Sequence, residues 1–494
     1  MIMILTAIIL ALFLIIILQE MSKYPSNYPP GPFPWPFVGN IFYFRKLLKK
    51  LGGLHFAFLE LSKKYNSDII SLRLGTNDMI IVSNSKLIQE VLSKREYDGR
   101  PWNEFIKIRN MGMKKGITMN DGQDWKKLRS WSVRTLKNIA FDKQKMMQFL
   151  MDELTLILER LKDGGVQDIH PIIAPTVINV FWALTTGMKL SEDSSRLRKF
   201  FTLMDRRSDL FDIAGGILSA FPWLRYVAPE FTGYKTLLAL NYELKDLLME
   251  TINKHKQQYV EGKENDFIDA FIQEMITEND KSVFSDDNLI LTLLDFFIAG
   301  IQTTTATLDF LFLQIVNHQD IQRKLHEEID VVIGSNRLPT LEDRIRMPFT
   351  EAVLCESQRI WQVTPIIGPR RVLNNTTLGG YTIPKNATVL LNLVCNNMNP
   401  ELFPDPTLFK PERYLDKQGA YQMDQNLILF GKGKRRCPGE VLARSALFLL
   451  FVGIMQKYYL RPVPGEKSIK IDHISGIIVK SKPYQMLIVP RNVT

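Results

Sequence analysis

One cysteine lies in a segment whose neighbouring residues could stabilise a thiolate. Residues 430–439 read Phe-Gly-Lys-Gly-Lys-Arg-Arg-Cys-Pro-Gly, and a helix-like run follows from Glu440 to Met455. Backbone amides, a helix N-terminus and cationic side chains all stabilise a thiolate, and this segment offers each of them. Its glycines would let the backbone pass close to a flat ligand. The segment predicts that Cys437 is a metal-binding thiolate; the alternative is a buried structural cysteine beside a basic turn.

The segment resembles the haem-binding signature of the cytochrome P450 family, Phe-x-x-Gly-x-(Arg/His)-x-Cys-x-Gly, and every specified position is filled. The resemblance implies haem b with Cys437 as the axial ligand of the iron. It also places Phe430, Gly431, Arg435 and Gly439 beside the cofactor. Phe430 would shield the cysteine from water.

Further arginines and a tryptophan match positions where family members hold the haem propionates. Trp125 and Arg129 match the pattern Trp-x-x-x-Arg. Arg100, in Asp-Gly-Arg-Pro, and Arg370, in Pro-Arg-Arg, match further propionate positions. Carboxylates on a largely buried ring need cationic or hydrogen-bonding partners, which explains these residue types. Taken singly, each arginine could equally be a solvated surface residue.

A structural charge network is the next expectation from the resemblance. Glu356 and Arg359 match the family's Glu-x-x-Arg motif and, at i,i+3, would share one helix face. Arg413, in Pro-Glu-Arg-Tyr, would complete a buried network with them. We expect these three residues to hold the core beside the haem and to take no part in the chemistry.

The run Ala299-Gly300-Ile301-Gln302-Thr303-Thr304 resembles the family's oxygen-activating helix. Its small residues, Ala299 included, would leave room for dioxygen. The Thr303 hydroxyl can bond back to a carbonyl one turn earlier, opening the helix, and would position water for proton delivery. The family's acidic residue is replaced by Gln302, whose amide can orient water but cannot supply a proton as a carboxylic acid does. Thr303 and Gln302 are therefore the predicted catalytic residues.

The elements that must position these residues are mostly helices, with small β-sheets, as apolar periodicity indicates, and the resemblance implies the cytochrome P450 fold. Since no Gly/Ser- or Pro-rich linker divides the chain after residue 40, we expect one haem-binding catalytic domain over residues 41–494. Apolar periodicity predicts helices over 143–162, 286–316 and 349–361. Strand-like segments are few: Ile69–Leu74, Met79–Val82, Gly380–Ile383, Thr388–Leu393 and a late pair near Ile477 and Leu487.

The N-terminus predicts a membrane anchor. Residues 1–18 carry no charge and are almost wholly apolar, and as a helix they would span about 27 Å of a hydrocarbon core about 30 Å thick. A cleaved signal is the alternative, but no basic segment precedes the apolar run. We expect a single-pass anchor over residues 1–20, a stiff proline-rich hinge over 21–40 and a cytosolic catalytic domain at the endoplasmic reticulum. Cytosolic placement predicts no glycosylation at the sequons Asn374, Asn375, Asn386 and Asn492.

Composition narrows the class of partners. The 494 residues are 46% hydrophobic and 23% charged, which excludes a disordered or fibrous chain. Three widely spaced cysteines do not make a disulfide framework. The net charge of +10 has no basic run interleaved with aromatics, so we expect no nucleic-acid partner.

The chain carries no dinucleotide-binding fingerprint and no flavin or iron–sulfur ligand set, so electrons must come from another protein. The resemblance implies NADPH–cytochrome P450 reductase, whose docking face is acidic, with cytochrome b5 as a further partner. Basic residues around the cysteine segment would complement such a face, although any one of them could be a solvated surface residue. They are Lys126, Lys127, Arg134, Lys137, Lys432, Lys434 and Arg436.

The substrate positions implied by the resemblance are apolar with almost no fixed charge, which predicts a lipophilic, largely uncharged small molecule. The sequence is most like insect forms that act on endogenous compounds, and methyl farnesoate epoxidation is one candidate reaction. Ecdysteroid hydroxylation, oxidation of amino acids and xenobiotic oxidation stay open, as does a peroxide-rearranging isomerase or dehydratase. A non-catalytic haem sensor is less compatible with Thr303. The implied substrate residues are Thr118, Met119, Phe297, Ala299, Ile301, Val363, Ile366, Ile367 and Ile477.

Overall fold

A computed structural model describes residues 24–140, 143–190, 195–210, 216–278 and 282–491, together with residues 4–6, 11, 12, 14, 15, 17 and 19. The predicted anchor over residues 1–20 therefore lies largely outside the described residues, and so does the sequon at Asn492. The predicted hinge is described from residue 24 onward.

Sixteen α-helices form about half of the described part of the chain. In chain order they are α1 (Ile41–Leu51), α2 (Leu54–Tyr65), α3 (Ser85–Ser93), α4 (Glu104–Arg109), α5 (Gly122–Thr135), α6 (Lys143–Arg160), α7 (His170–Thr186), α8 (Ser195–Asp209), α9 (Ile217–Ala220), α10 (Tyr234–Gln258), α11 (Phe267–Thr277), α12 (Asp286–Asn317), α13 (Gln319–Val332), α14 (Pro348–Ile360), α15 (Val394–Asn397) and α16 (Glu440–Lys457).

The strands are short and form small sheets. In the largest sheet the order is β1-β2-β7-β4, with β2 and β7 parallel and the other pairs antiparallel. The remaining strands pair as β3-β11-β8, β5-β6 and β9-β10. The described strands are β1 (Ile69–Leu74), β2 (Asn77–Val82), β3 (Gly165–Gln167), β4 (Ile366–Arg371), β5 (Thr376–Leu378), β6 (Tyr381–Ile383), β7 (Thr388–Asn392), β8 (Tyr458–Arg461), β9 (His473–Ile474), β10 (Lys480–Ser481) and β11 (Met486–Pro490).

Helix α12 runs through the centre of the main core. It begins with Asp286 and Asp287, whose carboxylates suit the positive end of the helix dipole. It packs against α7, α14 and α16, and most of its side chains are buried. Within the described residues, α12 alone is long and apolar enough to cross a membrane, and its apolar stretch is mostly buried in the protein. Its hydropathy thus reflects a place in the core.

The predicted helices and most predicted strands are present, with ends moved by a few residues. The late strand near Ile477 is different: residues 476–478 form the bend between β9 and β10, and Ile477 lies in it. Strand β4 was not predicted, because Gly368 and Pro369 interrupt its apolar pattern. Its register against β7 shifts between Ile367 and Arg370, which accommodates the interruption.

The described part of the proline-rich segment packs along the edge of the sheet. The backbone N–H of Ser71 in β1 donates to the Pro30 carbonyl at 2.8 Å, and its hydroxyl donates to the Pro29 carbonyl at 2.8 Å. A Cβ on Gly31 would lie 2.0 Å from the Ser71 carbonyl oxygen, so only glycine fits there. The segment is therefore attached to the catalytic body at β1.

Candidate active site

A cavity of about 1230 Å³ lies between α12 and the cysteine segment. Its wall includes nearly all of the residues that the sequence assigned to haem, oxygen and substrate. Those lining it are Arg100, Thr118, Met119, Ala299, Ile301, Gln302, Thr303, Val363, Ile366, Ile367, Arg370, Phe430, Gly431, Arg435, Cys437, Gly439 and Ile477. Trp125, Arg129 and Phe297 do not line it.

The backbone of the cysteine segment folds back on itself beside this cavity. The Cys437 N–H donates to the Phe430 carbonyl at 2.9 Å, which closes the loop. Gly433 has φ +68°, and a Cβ there would lie 2.5 Å from the Leu92 carbonyl oxygen, so glycine is required. A Cβ on Gly439 would lie 4.0 Å from the Cys437 Sγ, so the backbone passes close to the sulfur.

The electrostatics of Cys437 combine burial with nearby positive groups. The residue is accessible from the cavity that it lines. Burial raises the pKa of the Cys437 thiol, whereas the Gly439 amide and the charges of Arg129 and Arg436 lower it. The negative charge of Glu440, the first residue of α16, raises the pKa of Cys437. Glu440 is itself paired with Arg436 at 2.7 Å. A bound cation would add the stabilisation that a buried thiolate requires.

Three arginines converge on one side of the cavity and bond mainly to backbone carbonyls. Arg435 donates to the carbonyl of Asp98 at 2.7 Å and to that of Asn120 at 2.8 Å. Arg100 donates from Nε to the Thr118 carbonyl at 2.8 Å and from Nη1 to the Pro369 carbonyl. Carbonyls satisfy the N–H groups but bring no negative charge.

Arg370 is the third member of this cluster and is 1% exposed. Its Nη1 lies 3.5 Å from the Asp98 carboxylate, and its Nε is buried without a hydrogen-bond acceptor among the described residues. Burial lowers the pKa of Arg370 to about 10 and that of Arg435 to about 9, with neighbouring arginine charges acting in the same direction. Among the described residues, Asp98 is the one acid within ion-pair distance of these three arginines, so the cluster keeps an excess of positive charge. That excess would suit the two carboxylates of a haem.

Trp125 and Arg129 do not line the cavity but contact Arg435 and the backbone of the cysteine segment. The Arg435 guanidinium lies 3.4 Å from the centre of the Trp125 ring, and the indole N–H donates to the Ile117 carbonyl at 3.0 Å. Arg129 donates from Nε to the Lys434 carbonyl at 2.8 Å and from Nη2 to the Arg436 carbonyl. Both side chains hold the cysteine segment in place, and their contact with a propionate stays a prediction.

Residues 299–304, predicted to belong to the oxygen-activating helix, lie in the middle of α12. The Thr303 hydroxyl donates to the Ala299 carbonyl at 2.7 Å, as the sequence predicts, but α12 stays a continuous helix there. A Cβ on Gly300 would overlap the Phe181 ring at 2.0 Å, so glycine lets that ring approach the helix backbone. The Gln302 amide lies 3.5 Å from an oxygen of Asp205, a neighbour that the sequence did not reveal.

The predicted charge network is present and buried. Arg359 donates from Nε and Nη2 to the two oxygens of Glu356 at 2.8 Å each, and both side chains are 0% exposed. Arg413 donates from Nε to Glu356 at 3.0 Å, and Arg359 also donates to the Asn397 carbonyl at 2.7 Å. The network joins α14 to the segments around residues 397 and 413 and does not reach the cavity wall.

One predicted substrate residue lies outside the cavity. Phe297 lies in the core between Trp182, with ring centres 5.6 Å apart, and Phe200, with ring centres 5.0 Å apart; these aromatic contacts hold it away from the cavity. The predicted substrate residues that line the cavity are uncharged, but other parts of its wall carry fixed charge. The ionisable side chains that sequence reasoning missed are Lys49, Arg109, Asp168, His170, Asp205, Arg207, Asp309 and Lys480.

Comparison with known proteins agrees with this geometry. The sequence matches the Cytochrome P450 family over residues 29–488. It is 37% identical over 491 residues to probable cytochrome P450 305a1 of Drosophila melanogaster, covering 97% of each chain. It is 36% identical over 466 residues to farnesoate epoxidase of Bombyx mori, covering 94% of each chain. Cytochrome P450 2J5 of Mus musculus is 32% identical over 493 residues, which are 98% of this chain and 95% of the relative. The resemblance is thereby confirmed, and the chain belongs to the cytochrome P450 family of haem-thiolate monooxygenases.

Proposed function

We propose that this chain inserts one atom of dioxygen into a lipophilic small molecule, using electrons from NADPH–cytochrome P450 reductase. The observation that carries the proposal is that Cys437 and Thr303 line one cavity from two different elements, the cysteine segment and α12. Haem with a thiolate ligand supplies oxygen activation when bound, because the thiolate donates electron density that favours cleavage of the O–O bond.

The residues of the chain then have separate roles. Cys437 would bind the iron, and Arg100, Arg370 and Arg435 would hold the propionates. Thr303 would hold a water molecule in the cavity. Because the Thr303 hydroxyl already donates to the Ala299 carbonyl, its oxygen lone pairs can accept a hydrogen bond from such a water.

Protons would reach Thr303 through the polar groups around Gln302. The Gln302 amide contacts Asp205, and Lys480 pairs with Asp205 at 2.7 Å. The Asp205 side chain is 44% exposed and also lines the cavity. This carboxylate can exchange protons with solvent, a role that the Gln302 amide cannot fill.

The reductase would dock where basic side chains surround the cysteine segment. Lys434 and Arg436 are exposed, as are Lys126 and Arg134 on α5. This surface complements an acidic partner. Because Arg100 and Arg370, which face the cavity, are buried, docking need not involve them.

A membrane location is supported by a patch of exposed aromatic residues in addition to the apolar N-terminus. Phe37, Trp223 and Tyr226 line one shallow groove and are 73%, 59% and 75% exposed. Phe231 follows at 72% exposed. Exposed aromatics grouped in this way mark a surface that contacts lipid or protein. We propose that they rest in the headgroup region of the endoplasmic reticulum membrane while residues 1–20 anchor the chain.

The leading substrate candidate is a farnesoate-type sesquiterpenoid, because one relative of 36% identity is a farnesoate epoxidase. A hydroxylation of another lipid, an amino-acid derivative or a xenobiotic uses the same chemistry. A peroxide-rearranging activity would need neither Thr303 nor a reductase, and the intact Thr303 contact disfavours it.

The test is turnover by the purified chain with reductase and NADPH against farnesoic acid, methyl farnesoate, a steroid, an aromatic amino acid and a xenobiotic. We expect a product heavier by one oxygen atom, formed only when reductase, NADPH and dioxygen are all present. Labelled dioxygen should supply that atom. Turnover of a hydroperoxide without NADPH, and no oxygenation of any lipophilic compound, would overturn the proposal.

A further inference from the structure

Two buried arginines line the part of the cavity formed by α4, α8 and α12. Arg109, the last residue of α4, is 5% exposed, and Arg207 on α8 is 4% exposed. Both are among the lining residues of the cavity that contains Thr303 and Cys437. Neither belongs to the cluster around Arg435, so this is a second cationic region within one cavity.

Arg109 has an acidic neighbour on α12. The Oδ1 of Asp295 lies 3.9 Å from Arg109 Nη2. Its other oxygen, Oδ2, accepts hydrogen bonds from the backbone N–H groups of Ile117 and Thr118 at 2.8 Å each. Asp295 is therefore engaged by two backbone donors as well as by Arg109.

Arg207 in particular is held rigidly and is bonded only to neutral acceptors. Its Nε donates to the Asn241 side-chain oxygen at 2.7 Å, and its Nη2 donates to the Arg109 carbonyl at 2.8 Å. Among the described residues, no acceptor bonds to Nη1 and no carboxylate lies within ion-pair distance. Burial and the charge of Arg109 lower the pKa of Arg207 to about 9, while Asp295 acts in the opposite direction.

A buried cation without a counter-ion is unfavourable unless a ligand supplies the missing charge. A carboxylate is the suitable group, since a guanidinium presents N–H donors in a plane that matches it. The rest of the wall is largely hydrocarbon, with Met119, Leu184 and Ile301 contributing. A ligand that pairs with the arginine and also packs against the apolar wall has an apolar chain with a carboxylate at one end.

We propose that Arg207, supported by Arg109, forms an anion subsite that binds the carboxylate of a lipophilic carboxylic acid substrate and directs its apolar chain toward Thr303. The inference rests on the proposed function, since it takes the cavity to be the substrate site. Applied to the farnesoate-type candidate, it selects the free acid over the methyl ester.

The experiment is equilibrium binding to the haem-loaded full chain, without reductase, followed by the change in the haem absorption spectrum. The ligands are farnesoic acid, methyl farnesoate and farnesol, which differ only at the polar end. For the wild type we expect the Kd of the acid to be at least about tenfold below that of the ester and the alcohol, equivalent to about 1.4 kcal/mol. Equal affinity for acid and ester would overturn the proposal.

Two variants test whether Arg207 is responsible for the preference for the acid over the ester. Arg207→Gln should weaken acid binding about tenfold or more and leave ester binding within about twofold. The matched control is Arg206→Gln, the exposed neighbour on α8, which should change neither. An equal loss for acid and ester in Arg207→Gln, or the same loss in Arg206→Gln, would contradict the subsite.

Further measurements distinguish a specific loss of acid binding from a folding defect and from a failure of the proposed function. Haem content and melting temperature of each variant are recorded, and Arg207→Lys, which keeps the charge but loses the planar donor pair, should retain part of the acid selectivity. The acid should also raise the melting temperature of the wild type more than the ester does. Acid-selective binding that depends on Arg207, found together with no reductase-dependent turnover, would refute the proposed function and leave the subsite standing.

Discussion

The hydroxyl of Thr303 donates a hydrogen bond of 2.7 Å to the carbonyl of Ala299, one turn earlier in α12. Both residues line the cavity that Cys437 faces. The bond fixes the hydroxyl proton toward the helix and leaves the oxygen lone pairs for another donor. This geometry makes Thr303 an acceptor for water in the cavity.

Replacing Thr303 by alanine should uncouple NADPH consumption from product formation. We expect product per NADPH to fall about tenfold and hydrogen peroxide to rise, because the water that relays protons loses its partner. Thr303→Ser should retain most of the coupling. Product, peroxide and NADPH are measured in the same reaction.

Thr307→Ala is the matched control, since the Thr307 hydroxyl makes the same kind of bond, at 2.7 Å to the Thr303 carbonyl. Its coupling should stay near that of the wild type. Equal coupling in Thr303→Ala and the wild type would show that the hydroxyl has no part in proton delivery.

Glu356→Gln should destabilise the protein by about 3–5 kcal/mol, because two arginine side chains lose their common buried partner. The free energy of unfolding in urea is the measurement. Glu412→Gln is the control: Glu412 pairs with Lys324 at 2.6 Å, but both side chains are over 40% exposed, and removal should change stability by less than about 1 kcal/mol. Similar losses in the two variants would contradict a special role for the buried network.

Arg435→Gln should lose haem faster than the wild type. The guanidinium lies over Trp125 and beside Arg370, and we expect its removal to raise the rate of haem transfer to an apo-globin acceptor about tenfold, since a charge-assisted bond to a propionate is lost. Lys434→Gln, at an exposed neighbouring position, should leave the rate unchanged. An unchanged rate in Arg435→Gln would remove this residue from the haem site.

The aromatic patch should contribute to membrane binding. In a chain lacking residues 1–22, replacing Trp223, Tyr226 and Phe231 together by serine should lower partitioning onto phospholipid vesicles at least about tenfold, because three apolar side chains leave the interface. Ile345→Ser is the control, since Ile345 is 90% exposed and separate from the patch in sequence. Sedimentation with vesicles gives the partition coefficient, and equal binding of the triple variant and its parent would disprove the assignment.

The sequence was informative wherever function depends on residues close together in the chain. The segment around Cys437, the run around Thr303 and the pair Glu356–Arg359 each lie within one loop or helix, so the resemblance to short family motifs was enough to predict their arrangement. The long apolar pattern of α12 likewise predicted a buried helix with correct ends to within a residue.

Features that depend on packing between distant segments were not predictable. Arg207 lies on a charged helix and Arg109 at the end of a short one, so neither differs in sequence from a surface arginine. Only the tertiary contacts with Asn241 and Asp295 reveal that both are buried. The position of Phe297 in the core was not predictable for the same reason: its partners Trp182 and Phe200 come from α7 and α8.

The absorption spectrum of the dithionite-reduced, CO-bound protein tests the thiolate assignment of Cys437 most directly. We predict the strongly red-shifted Soret band of a thiolate-ligated haem in the wild type and in Cys355→Ser and Cys395→Ser, and its loss in Cys437→Ser. A wild-type spectrum without that shift, or a Cys437→Ser variant that keeps it, would contradict the assignment of Cys437 as the iron ligand.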